Sequence, residues 1–454
     1  MKVILRQLII FSCFFSVISY GLCETDKAVS DYSLSLEEAV TLAFKNNKDI
    51  QIQEQEVNAA KAVVVGARSE FLPNLNASAG YTHAGSVLNI PSTISTKKDP
   101  GIFTGFQNDN KVGVELDQNI YNGGANIANL RQAQVKLKIQ EETLRARKLD
   151  VEFEIKRLYY GLLLAYETER IAQDLVKQAQ SHYEDVKKKF GQGTSSKFDV
   201  LQSKVQVSKL IPELVKAKNA VDLIAADLKK MLSLKMQDSL TLKDKLLYSS
   251  IEIREEEFLK QAYLNKPEMN LKALGIDIKE WAIQMAKSGW RPQVNAELSY
   301  SYRSNNLGNM FNDMHSNWNA GFTVTIPIFD GFSTEAKVDE TNARYAQATL
   351  EKENLSDQIA VDIRQACLDL KQAETIINSS KDNIEEAKET LRIAEVSYDN
   401  GEGTNLDVLD AEVSLSQIEK NLSEGIYDYL MAEAFLDRTM GQGYLQEAKN
   451  EKKD

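Results

Sequence analysis

An apolar heptad repeat runs through residues 125–190 and places leucine, valine or alanine at every seventh position. The repeated positions are Leu130, Leu137, Leu144, Val151, Leu158, Ala165, Ala172, Ala179 and Val186. A seam of this spacing predicts one coiled-coil helix, which at about 1.5 Å of rise per residue would be roughly 100 Å long. Gly191 and Gly193 then allow the chain to reverse. A second helix is predicted from Phe198 to about Leu232, so the two helices form a long hairpin.

The same hairpin is encoded again in the second half of the chain. One apolar seam is formed by Ile363, Leu370, Ile377, Ile384, Leu391 and Tyr398, and a second by Tyr345, Ile359, Ala366, Ala373, Ala387 and Ala394. Gly401 and Gly403 mark the reversal, and the offset 407 − 199 = 208 relates Asp407 to Asp199. We therefore predict a tandem duplication with a first structural repeat at 34–232, an irregular charged connector at 233–255 and a second repeat at 256–440. A charged, disordered tail is predicted at 441–454.

The first residues have the pattern of a secretory signal. Lys2 and Arg6 precede an apolar run at 8–20, which is too short for a membrane-spanning helix. We predict a signal peptide at 1–23, and the alternative is a lipid-modified Cys23. Leu22 favours an ordinary signal peptide, because lipoprotein signals place a small residue directly before the modified cysteine and leucine is bulky. After Cys23 the only cysteine is Cys367, so no disulfide framework is expected.

Each half also contains two segments in which the apolar period changes from about 3.6 residues to 2. A helix predicted at 34–71, with a capping box formed by Ser35 and Glu38, ends before Pro73. Strands are predicted at 74–81 and 112–117 around a loop at 83–110, and again at 293–302 and 318–328. Along the last strand, Trp318, Ala320, Phe322, Val324, Ile326 and Ile328 alternate with smaller or polar residues.

Strands of about ten residues with one apolar and one polar face are typical of membrane barrels. A soluble sheet over a core is the alternative, but the helices already use their apolar seams on one another. The aromatic residues near the loop ends are expected to form an interfacial girdle. These residues are Tyr81, Tyr300, Tyr302 and Trp318. Four strands cannot close a barrel, so several chains must contribute strands if the sheet lies in lipid.

Charge and motif content argue against several other function classes. The formal net charge of −12 provides no basic stripe for a nucleic-acid partner. The sequence has no His-Glu-x-x-His, phosphate-loop or Gly-x-Ser-x-Gly motif, so we expect neither an enzyme nor a cofactor. His83, His182 and His315 have no metal-ligand spacing, and no metal site is expected.

Several motifs occur in duplicate and in the same order. The strands begin at FLPNL (71–75) and WRPQV (290–294) and end at IYNGG (120–124) and IFDGF (328–332), while the second hairpin turns at GEGTNLDVLD (401–410). Together with the signal peptide and the tandem halves, these motifs make the chain resemble the TolC-type outer membrane efflux family. The fold class expected is mainly α, with tandem long hairpins and a four-stranded antiparallel β contribution to an oligomeric membrane barrel.

The resemblance implies a homotrimer in the outer membrane of a Gram-negative-type bacterium. Its twelve strands would form the β-barrel, and its helices would form an α-barrel that extends into the periplasm and closes at the hairpin tips. Such a duct would serve efflux or type I secretion with a periplasmic adaptor (membrane fusion protein) and an inner-membrane transporter. Drugs, metals and proteins remain open as cargo. The alternative function is a periplasmic coiled-coil adaptor or scaffold protein.

The resemblance also assigns candidate residues at the tip. Asp407 and Asp410 share one helix face, and threefold symmetry would make them two carboxylate rings that select cations. The alternative is that both are solvated surface acids. Asp199 stands at the matching place in the first hairpin, and Tyr398 is a candidate for tip closure. Some relatives hold the tip closed with an arginine, where this chain has Gly403.

Overall fold

The computed structural model describes residues 31–83, 108–304 and 315–443. The predicted signal peptide, Cys23, most of the first predicted loop and nearly all of the charged tail lie outside these residues. The helices are α1 (Leu36–Asn46), α2 (Lys48–Ser69), α3 (Ala125–Gly191), α4 (Lys197–Met231), α5 (Glu255–Asn265), α6 (Pro267–Lys287), α7 (Ser333–Asp399) and α8 (Asn405–Met440). The strands are β1 (Asp31–Leu34), β2 (Asn74–His83), β3 (Asn108–Asn122), β4 (Ser239–Leu242), β5 (Gln293–Ser304) and β6 (His315–Thr325).

The two predicted hairpins are present as α3 with α4 and as α7 with α8. The first core is formed by α3 and α4 together with α1 and the start of α2, and Ile155, Leu162 and Leu228 are fully buried in it. The second core is formed by α7 and α8, with Ile363 and Leu370 fully buried. Helix α3 also packs on α8, so the two hairpins lie side by side. The mainly α architecture expected from the heptads is confirmed.

The segment before the first strand differs from its prediction. The helix predicted at 34–71 is two helices, because the Asn47 side chain accepts hydrogen bonds from the backbone N–H groups of Asp49 and Ile50 and thereby begins α2. The capping box of Ser35 and Glu38 is present at the start of α1. The connector at 233–255 is not wholly irregular, because its strand β4 pairs in parallel with β1.

The larger sheet is antiparallel and four-stranded, in the order β2-β3-β5-β6. Strand β3 begins before and ends after the predicted 112–117, whereas β6 ends at Thr325, before Pro327. Ala77, Val114, Tyr300 and Trp318 lie in one row across the sheet. The next row, on the other face, consists of Asn76, Glu115, Ser299 and Asn319. This register separates an apolar face from a polar face, as the alternation predicts.

No helix among the described residues is both long enough and apolar enough to cross a membrane.

Candidate functional site: the hairpin tips and the sheet

The two hairpins reverse through turns that need glycine at one position each. Gly193 has φ +80° and Gly401 has φ +76°, in the left-handed region that side chains disfavour. Gly403 has an ordinary φ, but a Cβ there would lie 3.1 Å from the Cβ of Ser397, so the missing side chain allows the turn to pack against the end of α7. Gly191 is the last residue of α3, and its missing Cβ would face open space.

Asp407 and Asp199 each complete a capping box at the start of a helix. The Asp407 carboxylate accepts hydrogen bonds from the backbone N–H of Thr404 at 2.8 Å and from its hydroxyl at 2.7 Å. The Asp199 carboxylate accepts the same two bonds from Ser196, at 3.1 and 2.7 Å. Both aspartates therefore hold the first turn of α4 or α8 in place. The sequence signal for this capping role is a Ser or Thr three residues before the Asp, and the role was not predicted from it.

These hydrogen bonds keep both capping carboxylates ionised. The backbone and hydroxyl donors of Thr404 hold the pKa of Asp407 below its ordinary value. Partial burial acts to raise the pKa of Asp199, but the hydrogen bonds from Ser196 and Ser195 outweigh it and the pKa is lowered. Asp410 differs from both, because it is exposed and none of the described residues forms a hydrogen bond or an ion pair with its carboxylate. It is the less constrained carboxylate of the predicted pair.

Asn405, at the first position of α8, joins the two hairpins. Its side chain is buried, and its Oδ1 lies 2.7 Å from Nε2 of His182 on α3 and accepts a hydrogen bond from the Ser203 hydroxyl on α4 at 3.0 Å. Its Nδ2 donates to Gln202 on α4 at 3.1 Å. One amide thus binds both helices of the first hairpin. Gln202, which occupies the position equivalent to Asp410, belongs to this cluster.

Tyr398 lies in a second set of contacts between the hairpins. Lys189, near the end of α3, places its ammonium 4.3 Å from the centre of the Tyr398 ring and forms an ion pair with Asp399 at 2.8 Å. The imidazole of His182 lies 5.4 Å from the same ring, and the hydroxyls of Ser195 and Tyr398 are 3.5 Å apart. The tip roles of Lys189, His182 and Asn405 were not predicted from the sequence, because their partners lie in the other half of the chain.

The four predicted girdle residues lie on the apolar face of the sheet. Tyr300 and Trp318 are directly opposite one another, and Tyr302 follows on the same face with its hydroxyl 3.0 Å from that of Tyr300. Tyr81 is opposite Asn110, nearer the loop end. Trp318 is 70% exposed and Tyr81 is 64% exposed in the single chain. Their role at a membrane interface stays a prediction.

The polar face of the sheet is acidic near its centre. Glu115, Asp117 and Glu297 lie on neighbouring strands, with one carboxylate oxygen of each within 4.8 Å of the others. All three side chains are at least partly exposed to solvent, where acidic groups commonly occur without a bound ion. The face opposite the apolar residues is therefore suited to contact water and cations.

Comparisons with known proteins agree with this architecture. The chain is 21% identical over 411 residues to the outer membrane protein TolC of Vibrio cholerae, with 90% of each chain covered. It is 22% identical over 412 residues to the cation efflux system protein CusC of Escherichia coli, with 89% of this chain and 86% of CusC covered.

Solved structures show the same fold. The match to CusC has a TM-score of 0.77 at 19% identity and covers 91% of this chain and 94% of that chain. The match to the Campylobacter jejuni CmeC outer membrane channel has a TM-score of 0.76 at 20% identity and covers 92% and 89%. The sequence model of the family described as outer membrane efflux protein matches residues 39–233 and 258–442, which together are most of the chain. The chain therefore belongs to the outer membrane efflux protein family.

Proposed function

We propose that this outer membrane efflux protein is one subunit of a homotrimeric exit duct. The observation that carries the proposal is an open sheet of four strands, in which β2 and β6 are the edges. An open edge in lipid leaves backbone groups without hydrogen bonds, so these edges must pair with other copies of the sheet. Closed barrels have about eight strands or more, which requires more than one chain. The number three rests on the family resemblance.

The exposed side chains of the sheet support its contact with lipid. Leu75 is 71% exposed, Trp318 is 70% exposed and Phe322 is 75% exposed, and the register puts all three on the same face. An exposed apolar surface of this kind is unfavourable in water and favourable against acyl chains. In a closed barrel the opposite face, with Glu115 and Glu297, would line the interior.

The long helices would form the wall of the duct below the membrane. Helices α3 and α7 contain 67 residues each, so each is about 100 Å long. We infer that the hairpin tips meet a periplasmic adaptor, which connects the duct to an inner-membrane transporter. Two relatives are named as a cation efflux system protein and a toluene efflux pump outer membrane protein. These names support the proposal that this chain also functions as part of a pump assembly. We propose no catalytic step, because the duct only conducts cargo.

At the tip, we propose that the bonds between the hairpins hold the duct closed at rest. Asn405 binds His182 and Ser203, and Lys189 binds Asp399. These contacts would replace the arginine that some relatives use, where this chain has Gly403. The carboxylate of Asp410 would face the narrowed pore and favour cations, while that of Asp407 maintains the turn.

Chemical cross-linking of the protein in native outer membranes tests the assembly. We expect a ladder of cross-linked products that ends at three chains, and ion conduction by the purified protein in planar lipid bilayers. Lysine-reactive reagents suit the helical region, where Lys187 and Lys216 are well exposed. A protein that remains monomeric and dissolves without detergent would refute the proposal.

A further inference from the structure

Glu412 is a carboxylate buried between three long helices. Its side chain is on α8, the residue is only 3% exposed, and its Oε2 has no hydrogen-bond partner. Glu412 lies seven residues from Asn405 and seven from Glu419, which contact His182 and Arg170 of α3. This spacing puts Glu412 on the face of α8 that packs against α3. Glu395 of α7 is close enough to repel its carboxylate.

The charges around Glu412 do not favour an ionised carboxylate. Glu395 has the same sign. The charged groups of α3 near this level are Arg170, Asp174 and Lys177, which line a groove of about 360 Å³ together with Glu419 of α8. Arg170 is already bonded to Asp174 at 2.7 Å, and no ion pair joins Glu412 to a cation within the described chain. An unpaired charge at a buried position is costly, so the neutral acid is favoured.

The first hairpin has no counterpart to this buried acid. The offset of 208 relates Glu412 to Lys204 on α4, since 412 − 208 = 204, and Lys204 is exposed. The duplicated scaffold therefore tolerates a solvated cation at the position where the second hairpin buries an acid. Burial of Glu412 is a property of the contact between α3, α7 and α8 and does not follow from the shape of the hairpin alone.

We propose that Glu412 makes opening of the duct depend on periplasmic pH, because its neutral form stabilises the packed tip and its ionised form favours separation of α8 from α3. The inference rests on the proposed function, since it requires that the tip open by movement of one hairpin relative to the other. Once the helices separate, water reaches the carboxylate and its ionisation is no longer penalised. Acid therefore shifts the equilibrium toward the closed tip, and a rise toward neutral pH shifts it toward the open tip without fixing which form is in the majority.

The sign and size of the effect follow from the two environments. Burial, followed by repulsion from Glu395, raises the pKa of Glu412 from 4.5 to about 7 in the packed state. The stabilisation of the closed tip is complete below the ordinary pKa and is lost as the pH rises toward the raised value. Between pH 5 and pH 7, the ratio of closed to open tips should fall by roughly 30-fold for each chain.

Planar-bilayer recordings of the full-length trimer from pH 5 to pH 7.5, at constant ionic strength, test this proposal. The wild-type closed fraction should fall as the pH rises, whereas Glu412→Gln should remain mostly closed at every pH. Glu424→Gln is the matched control, because Glu424 is on the same helix with 47% of its side chain exposed, and it should follow the wild type. Glu395→Gln removes the neighbouring charge and should move the midpoint to lower pH.

The outcomes separate this proposal from the proposed duct. If Glu412→Gln keeps the wild-type pH slope, or if Glu395→Gln leaves the midpoint unchanged, Glu412 is not the switch. A wild-type channel whose closed fraction is constant over this range also overturns the proposal while leaving the duct intact. Absence of conducting channels at every pH would contradict the duct itself.

Discussion

Replacing Asn405 with leucine should release the tip of the duct. Leucine has the same branched side-chain shape as asparagine, with two methyl groups in place of the amide oxygen and nitrogen, so the main loss is the hydrogen bonding of the amide to His182, Ser203 and Gln202. Each such hydrogen bond contributes about 1 kcal/mol net, giving about 3 kcal/mol for the three. This free energy corresponds to a shift of roughly 100-fold from closed to open tips for each chain. The loss is concentrated at the point where α8 meets both α3 and α4.

Single-channel recording in planar bilayers measures this shift as the fraction of time spent closed. Asn421→Leu is a suitable control, because Asn421 is an exposed amide on the same helix that bonds only to Gln417 among the described residues. We expect Asn405→Leu to open far more often than the wild type, and Asn421→Leu to match the wild type. A closed fraction for Asn405→Leu equal to that of the wild type would mean that this cluster does not keep the tip closed.

Three further predictions concern the sheet, its junctions and the pore. Leu298→Lys, on the apolar face at mid-sheet, should destabilise the barrel by roughly 2–4 kcal/mol in lipid, whereas Ser299→Lys, on the polar face, should be tolerated. The temperature at which the trimer dissociates measures the effect of both substitutions. Gly123→Ala should lower the unfolding temperature more than Gly331→Ala, because both have positive φ but only Gly123 would place a Cβ 2.5 Å from a backbone oxygen; equal effects would contradict this. Asp410→Ala should reduce cation preference, and an unchanged reversal potential in a salt gradient would remove that role.

Much of the fold could be predicted because its elements are long and strongly periodic. The heptads of α3 and α7 specify buried faces such as Val151, Leu158, Ile363 and Leu370, and alternation in β5 and β6 specifies the two faces of the sheet. Periodicity reports which side of an element is buried, so it is reliable where many turns or many residue pairs repeat it.

The errors lie where a few tertiary contacts outweigh local pattern. Asn47 interrupts the predicted first helix, and its Nδ2 donates to the carbonyl of Met231 at the distant end of α4. Strand β1 forms because it pairs with β4. It could not be predicted from its own sequence, because a segment of four residues is too short to show a periodic pattern. The predicted strand 112–117 was too short, because Asn119 and Asn122 of β3 pair with β5 despite their low strand propensity.

The candidate site divides in the same way. The positions of Asp199, Asp407 and the turn glycines could be located from the duplicated motif, since they act within one turn of the chain. The link between Asn405 and His182 spans 223 residues, and the burial of Glu412 depends on the packing of three helices. Neither the Asn405–His182 contact nor the burial of Glu412 leaves a pattern in the neighbouring sequence, because both depend on helices that are distant along the chain.

Membership of the outer membrane efflux protein family favours the duct over the periplasmic adaptor that the helices alone would allow. In the proposed duct, the apolar face of the sheet meets lipid while the hairpins extend below it as a hollow wall. Electron microscopy of the purified protein in lipid nanodiscs would show both features in one image. We expect a threefold particle with a hollow helical tube that projects roughly 100 Å from one side of the disc. A single compact chain lying outside the disc would contradict it.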